Sequence, residues 1–174
     1  ARFAVDFLQR DIRMAGHFGC VNDQAHWVKG AGDLVNHLGA ATDSLNFEVS
    51  VSGYEATNTE PGQAVTIGSP TAGWSPALPA EIADLNPSPG SDIIALRYLA
   101  EEGIPVTALT SIGGSNTEAT FPSGRGAVLT TAGVGTPTLF GVADCSQADV
   151  FSGAIVGNTV QSAGGADFVE RYTV

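Results

Sequence analysis

The sequence predicts an α+β domain in which one N-terminal helix packs on antiparallel β-sheet and long loops connect the strands. Apolar residues recur at helical spacing over residues 2–15, and short alternating or apolar segments follow. The 22 Gly and 9 Pro residues separate these segments as turns and loops. We expect a single domain over residues 1–174, with the helix in 1–16 and the β-rich part in 17–174.

The helical segment reads RFAVDFLQRDIRMA and is amphipathic. Its apolar side is predicted to pack on the protein's own sheet, through Phe3, Phe7, Leu8 and Ile12. The other side includes Arg2, Arg10 and Arg13, three of the seven Lys and Arg residues of the chain. Gly16 is expected to end the helix, because glycine adopts the left-handed conformation easily. No capping residue precedes Arg2, so we expect that a segment upstream of the helix has been removed.

Several segments have strand patterns. Residues 44–52 (SLNFEVSVS) alternate between apolar and polar and predict a half-buried strand. Residues 92–99 (DIIALRYL) are the most apolar and predict a central strand. Further strands are predicted at residues 106–109, 127–131, 138–142, 150–156 and 168–174.

Residues 57–91 contain six of the nine prolines and predict a long, variable loop. A short strand is expected at 63–67 and one helical turn at 81–85. Trp74 is expected to anchor the loop. Long loops in compact domains are often functional, so this loop is a candidate for partner recognition.

The charge balance disfavours nucleic acids as partners. The formal net charge is −11, and a surface of this sign repels phosphate backbones, which disfavours general nucleic-acid binding. No apolar run approaches the ~20 residues that span a bilayer. The chain as given is therefore expected to be soluble.

Cys20 and Cys145 are the two cysteines, and they form either free buried thiols or a disulfide. The Lys-poor, Thr- and Gly-rich composition favours an exported protein and hence the disulfide. Closing so long a loop stabilises a fold by up to about 4–5 kcal/mol in the chain-entropy model. The absence of CxxC spacing argues against a zinc site.

No motif of a known catalytic centre is present. The sequence lacks GxSxG, HExxH, a P-loop and an EF-hand loop, and nothing combines a nucleophile, a base and an orienting group. Asp144 and Asp149 flank Cys145 and could bind calcium or act as acid and base, but Asp144 and Ser146 are better interpreted as turn residues. We therefore predict a protein that is not an enzyme and uses no cofactor.

Three histidines follow the helix in an irregular segment: His17, His26 and His37. Imidazole is a common metal ligand, so a metal site is conceivable. Scattered loop histidines are more often ordinary surface residues, and no metal site is predicted.

Three segments resemble a known family. RFAVDFLQRDIRMAGHFGC closely resembles the end of the N-terminal helix of PilW-type minor pilins of type IV pili, which runs into a Gly–aromatic–Gly–Cys turn. SPGSDIIALRYL is similar to the family's first long strand after its variable loop, and ADCSQADVF to the region of its second cysteine. Together they cover about a quarter of the chain, in the family's order. The helix also resembles the GspJ pseudopilins of type II secretion, whereas GHFGC and ADCSQADVF favour PilW.

The resemblance implies a pilin-like fold and a structural role in a tip or priming complex of the pilus. It implies an upstream leader that is removed by a prepilin peptidase, and a hydrophobic helical half that holds the protein in the bacterial inner membrane, facing the periplasm, before it enters the extracellular pilus. The implied partners are other minor pilins, the major pilin and a tip adhesin. Arg2, Arg10 and Arg13 are candidates for contacts between subunits, and the Cys20–Cys145 disulfide would fix the angle at which the helix leaves the domain.

Two alternatives remain open. One is a GspJ-like minor pseudopilin of type II secretion. The other is a secreted surface- or carbohydrate-binding β-domain that acts alone, suggested by the Thr- and Gly-rich strands and by Trp27 and Trp74.

Overall fold

A computed structural model describes residues 2–19, 21–22, 33–39, 44–64, 73–130 and 135–174. It confirms the α+β class: an N-terminal helix precedes β-sheets that are antiparallel apart from one parallel pairing. The N-terminal helices and strands are α1 (Arg2–Met14), β1 (His17–Phe18), β2 (Val21–Asn22), β3 (Asp33–Asn36) and β4 (Val51–Ala56). They are followed by β5 (Trp74–Ser75), α2 (Ala80–Ala83), β6 (Ile93–Leu96), β7 (Ala108–Ile112), β8 (Asn116–Thr120), β9 (Leu139–Ala143), β10 (Gln147–Val156) and β11 (Thr159–Ser162).

The chain divides into two compact units. The first consists of Ala1–Gly16 and Ala41–Arg97, and the second of His17–Ala40 and Tyr98–Val174. The prediction of one domain over 1–174 does not anticipate this division, because the chain leaves the first unit after α1 and returns to it later. Such a path brings together segments that are distant in sequence.

The sheet of the first unit has the strand order β5-β4-β6. β4 pairs antiparallel with β6 from Val51↔Leu96 to Tyr54↔Ile93. Tyr54 is buried on one face of the sheet, whereas Val51 is exposed on the other. Among the described residues β6 has only β4 beside it, so the strand predicted to be central lies at an edge.

Residues 44–50 do not form the predicted strand. The backbone turns there, with Val49 N donating to Asn46 O at 3.1 Å and Glu48 N donating to Asn46 Oδ1 at 3.1 Å. The short asparagine side chain thus supplies the backbone with an alternative to a β-ladder. The strand of this region begins only at Val51.

The proline-rich segment 57–91 includes β5 and α2. The expected anchor is confirmed, because Trp74 is half-buried and its indole Nε1 donates to Ser91 O at 2.8 Å. The expected helical turn is confirmed as α2, which begins after Pro79. The strand predicted at 63–67 lies mostly outside the described residues.

The sheet of the second unit has the order β3-β10-β11-β8-β7, with β9 also paired to β10. The first half of β10 lies between β3, which is parallel to it, and β9, which is antiparallel. Its second half pairs with β11, and Gly153 begins that pairing opposite Ser162. A Cβ on Gly153 would lie 2.4 Å from Gln161 O, so only glycine allows the two backbones to approach this closely.

Aromatic rings dominate the core of the second unit. Phe151 and Phe168 have ring centroids 4.7 Å apart, and Phe140 stacks on Phe151 at 6.1 Å. The buried cluster consists of Phe121, Phe140, Phe151, Val160, Ala166 and Phe168. These rings come from strands and from the C-terminal segment, so that segment is part of the core.

The remaining strand predictions have mixed outcomes. Those at 138–142 and 150–156 are confirmed as β9 and β10, and that at 106–109 overlaps the start of β7. Those at 127–131 and 168–174 are wrong, because these segments contain the 3₁₀ helices Gly126–Thr130 and Val169–Arg171. Short apolar runs do not distinguish the two structures. β8 and β11 were missed because NTEAT and TVQS are mostly polar.

Candidate functional site

Among the described residues, α1 has more exposed large apolar side chains than any other helix or strand. Its large apolar side chains are exposed by 77% (Phe3), 50% (Val5), 54% (Phe7), 45% (Leu8) and 43% (Ile12). We call these five side chains the α1 face. Four of them were predicted to pack on the protein's own sheet, and the structure instead leaves them in contact with solvent. The buried side chains of the first unit are instead those of Ser50, Tyr54, Ala56 and Arg97, in and beside β4 and β6, so the α1 face is not part of this core.

The α1 face is locally ordered but has little support. Phe3 and Phe7 are four residues apart, one helical turn, and their ring centroids lie 5.2 Å apart. A helix of 13 residues is only marginally stable on its own in water. Several large apolar side chains exposed on one element are typical of a surface that binds a partner.

The predicted arginine candidates lie on the same helix. Arg10 and Arg13 are exposed on the polar side of α1, and nothing is described for the Arg2 side chain. Arg10 is three residues from Phe7, so its guanidinium group borders the α1 face. Asp11 is four residues from Phe7 and borders the face in the same way, so the arrangement combines an apolar surface with charges of both signs beside it.

A buried arginine fixes the end of α1. Gly16 has φ +76°, which confirms that it ends the helix, and its N–H donates to Arg97 O at 2.9 Å. The Arg97 side chain is 4% exposed; its Nε donates to Ser44 O at 2.8 Å and its Nη1 to Val49 O at 2.7 Å. Arg97 thus connects the helix end to the turns that precede β4. Sequence reasoning did not single out Arg97, because it lies in an apolar segment with no local signal for a buried arginine.

The predicted disulfide joins Cys20 and Cys145. Cys145 is exposed in the turn between β9 and β10, and Cys20 lies outside the described residues. Their neighbours are close together: a Cβ built on Gly19 would lie 3.2 Å from the Cβ of Ala143. The disulfide remains a prediction, and this proximity supports it.

Asp144 has the turn-shaping role that the sequence favoured. Its Oδ1 accepts hydrogen bonds from Ser146 N at 2.6 Å and from Gln147 N at 2.9 Å. This geometry closes the turn between β9 and β10, and it confirms the interpretation of Asp144 as a turn residue.

Asp149 is the centre of a buried polar cluster. The carboxylate is fully buried, with His37 Nε2 2.6 Å from Oδ1, Arg171 Nε 2.8 Å from Oδ2 and the Tyr172 hydroxyl 2.6 Å from Oδ2. The parallel register of β3 and β10 explains the contact between His37 and Asp149. Val35 lies opposite Asp149, and His37, two residues after Val35, points to the same side of the sheet. We call Asp149 and these three partners the Asp149 cluster.

The Asp149 cluster joins three distant parts of the second unit: the end of β3, the middle of β10 and the C-terminal segment. Burial, the hydrogen bond to Asp149 and the charge of that carboxylate raise the pKa of Tyr172 well above its ordinary value of about 10. The phenol therefore stays protonated and remains a donor at alkaline pH.

His37 is the exception to the interpretation of the histidines as surface residues, because its side chain is only 18% exposed. The described residues contain no group of three or more His, Cys, Asp or Glu that could hold a metal ion. The packing of His37 against Asp149 gives it a structural partner instead.

Comparison with protein-family models, with curated proteins and with solved structures gives no match in any of the three. In the part of the chain that the structure describes, no helix is both long enough and apolar enough to cross a membrane.

Proposed function

We propose that this chain is a minor pilin of the PilW type, which acts without catalysis as a structural subunit of a tip or priming complex of a type IV pilus. The observation that best supports this function is the exposed α1 face at the start of a β-rich chain. The resemblance of three segments to PilW-type pilins indicates that the assembly is a type IV pilus.

The α1 face suits assembly on energetic grounds. Burying a large aliphatic or aromatic side chain completely gives about 1.5–3 kcal/mol. The five side chains of the α1 face are between 43% and 77% exposed, so burying them on docking would provide several kcal/mol. The arginines at its margin add charge selectivity, which sets the choice of partner more than the affinity.

The proposed partners are other minor pilins, the major pilin and a tip adhesin. In this proposal a leader and a hydrophobic helical half precede residue 1, and the protein is held at the periplasmic face of the inner membrane before it enters the pilus. The segment 57–91, with β5 and α2, would then present the variable surface that selects partners.

The test is co-purification of this chain with each minor pilin encoded beside it. We expect a stable complex with at least one of them, and we expect Phe7→Ser to weaken it at least tenfold. Val156→Ser is the matched control, because Val156 is 51% exposed and lies on β10, neither on α1 nor in residues 57–91. A clean monomer in every mixture would count decisively against the proposal.

The alternatives make different predictions. A GspJ-like pseudopilin would be encoded among secretion genes rather than pilus genes. A stand-alone surface-binding domain would have no hydrophobic segment upstream of residue 1, whereas a pilin has about twenty apolar residues with a Glu near their start. Trp74 was one reason to consider a stand-alone carbohydrate-binding domain. This reason is weaker now, because the Trp74 indole N–H donates to Ser91 O within the protein.

A further inference from the structure

The first unit has a second exposed apolar surface, on the outer face of its sheet. In the antiparallel register Val51 lies opposite Leu96 and Gly53 opposite Ile94, so these four residues share one face. Val51 is 47% exposed and Ile94 is 44% exposed. Tyr54 and Ala56 lie on the opposite face and are buried. We call Val51, Gly53, Glu55, Ile94 and Leu96 the outer sheet face.

Gly53 makes an opening in the middle of the outer sheet face. No atom lies within 4 Å of the position that a Cβ would occupy at Gly53, and its φ is not positive. The backbone conformation therefore does not require glycine. Glycine in the interior of a strand weakens it, and is often found where a ligand or another backbone approaches closely. The opening between Val51 and Glu55 gives a large apolar side chain a place to insert.

The two apolar surfaces of this unit are complementary in charge. Residues 41–97 contain seven Asp and Glu residues and only one Lys or Arg, the buried Arg97. One of the acids, Glu55, is exposed on the outer sheet face. Residues 1–16 contain three Arg against two Asp. Residues 1–16 thus carry a net charge of +1 and residues 41–97 a net charge of −6, and segments of opposite net charge that each have an exposed apolar surface attract one another.

We propose that the outer sheet face binds α1 of a second copy of this chain, with aromatic side chains of the α1 face over Gly53 and α1 arginines near Glu55. The proposal rests on the proposed function in using α1 as the assembly element, and it names a homotypic partner for it. The contact joins two different surfaces. It closes a dimer if it is reciprocal, and otherwise extends a row of subunits.

The first experiment is sedimentation equilibrium of the chain over a range of concentrations at low and high salt. We expect reversible self-association that weakens as salt screens the charges. Gly53→Thr is the decisive variant, because it fills the opening with a residue that strands favour. It should weaken association at least tenfold while the urea midpoint stays the same or rises. Glu55→Arg should also weaken association, and Val156→Ser should leave it unchanged, because Val156 is exposed on β10 and belongs to neither surface.

The second experiment locates the contact. A photo-crosslinking phenylalanine analogue replaces Phe7, and equal amounts of ¹⁴N- and ¹⁵N-labelled chains are mixed before irradiation. We expect crosslinked peptides that join the analogue to residues 51–55 and combine both isotopes. Same-isotope pairs alone would mean that α1 folds onto its own sheet, which overturns the proposal.

A monomer at every concentration, or full association of Gly53→Thr, also overturns the proposal. If the chain stays monomeric but binds another minor pilin through Phe7, only the homotypic contact is wrong. If neither interaction occurs, the proposed function fails as well.

Discussion

Replacing Asp149 by alanine is expected to destabilise the second unit strongly. The substitution removes the acceptor of three donors at once: His37 Nε2 at 2.6 Å, Arg171 Nε at 2.8 Å and the Tyr172 hydroxyl at 2.6 Å. Each charge-assisted hydrogen bond contributes about 1.5–3 kcal/mol. The contributions do not add in full, since His37 and Arg171 are 18% and 26% exposed and regain some water. Removing one partner of a buried ion pair typically costs about 3–5 kcal/mol, and we expect a loss in that range.

The assay must report on the second unit alone, because two compact units need not unfold together. Native-state hydrogen exchange of the β10 amides meets this requirement, with urea unfolding followed by circular dichroism as a second measure. Glu102→Ala is the control: it removes an exposed carboxylate and should change the unfolding free energy by less than about 0.5 kcal/mol. The double variant Asp149→Ala/Arg171→Met should recover about 1–3 kcal/mol relative to the sum of the single changes, because it no longer leaves a charge without its partner.

The result that refutes this reasoning is a loss for Asp149→Ala no larger than that of Glu102→Ala. It would mean that the buried carboxylate and its three donors contribute no net stability. Strictly additive behaviour in the double variant would refute only the pairing with Arg171.

Three further predictions follow from the structure. The unfolding free energy should decline above about pH 10. The reason is that Tyr172 ionises in the unfolded state, whereas its raised pKa keeps it protonated in the folded state. Tyr172→Phe should reduce this decline, as measured by urea unfolding between about pH 8 and about pH 11. A thiol titration of the denatured, unreduced chain should find no free thiol if Cys20 and Cys145 are joined, and two free thiols would refute the disulfide. Arg97→Met should lower the stability of the first unit by about 2–4 kcal/mol, since backbone acceptors at Ser44 and Val49 lose their donor, and an unchanged urea midpoint would contradict this.

Local sequence patterns determined the features that depend on near neighbours. The period of apolar residues identified α1, and Gly16 ended it as expected, because both follow from helix geometry and from the conformational freedom of glycine. The turn role of Asp144 was also readable from ADCSQ, because its hydrogen bonds span only two or three residues. The strands β9 and β10 were found for a similar reason, since their apolar content is high within a short segment.

Features that depend on distant partners were decided by the tertiary structure. Asp149 and His37 are separated by 112 positions and meet only because β3 pairs in parallel with β10. Residues 44–50 alternate as a strand would, yet the Asn46 side chain and Arg97, 51 positions further along, stabilise turns instead. Side-chain periodicity indicates which face of an element is apolar, but not what covers it. The α1 face is the clearest case: the sequence identified four of its five residues, all but Val5, and the structure decided that they remain exposed.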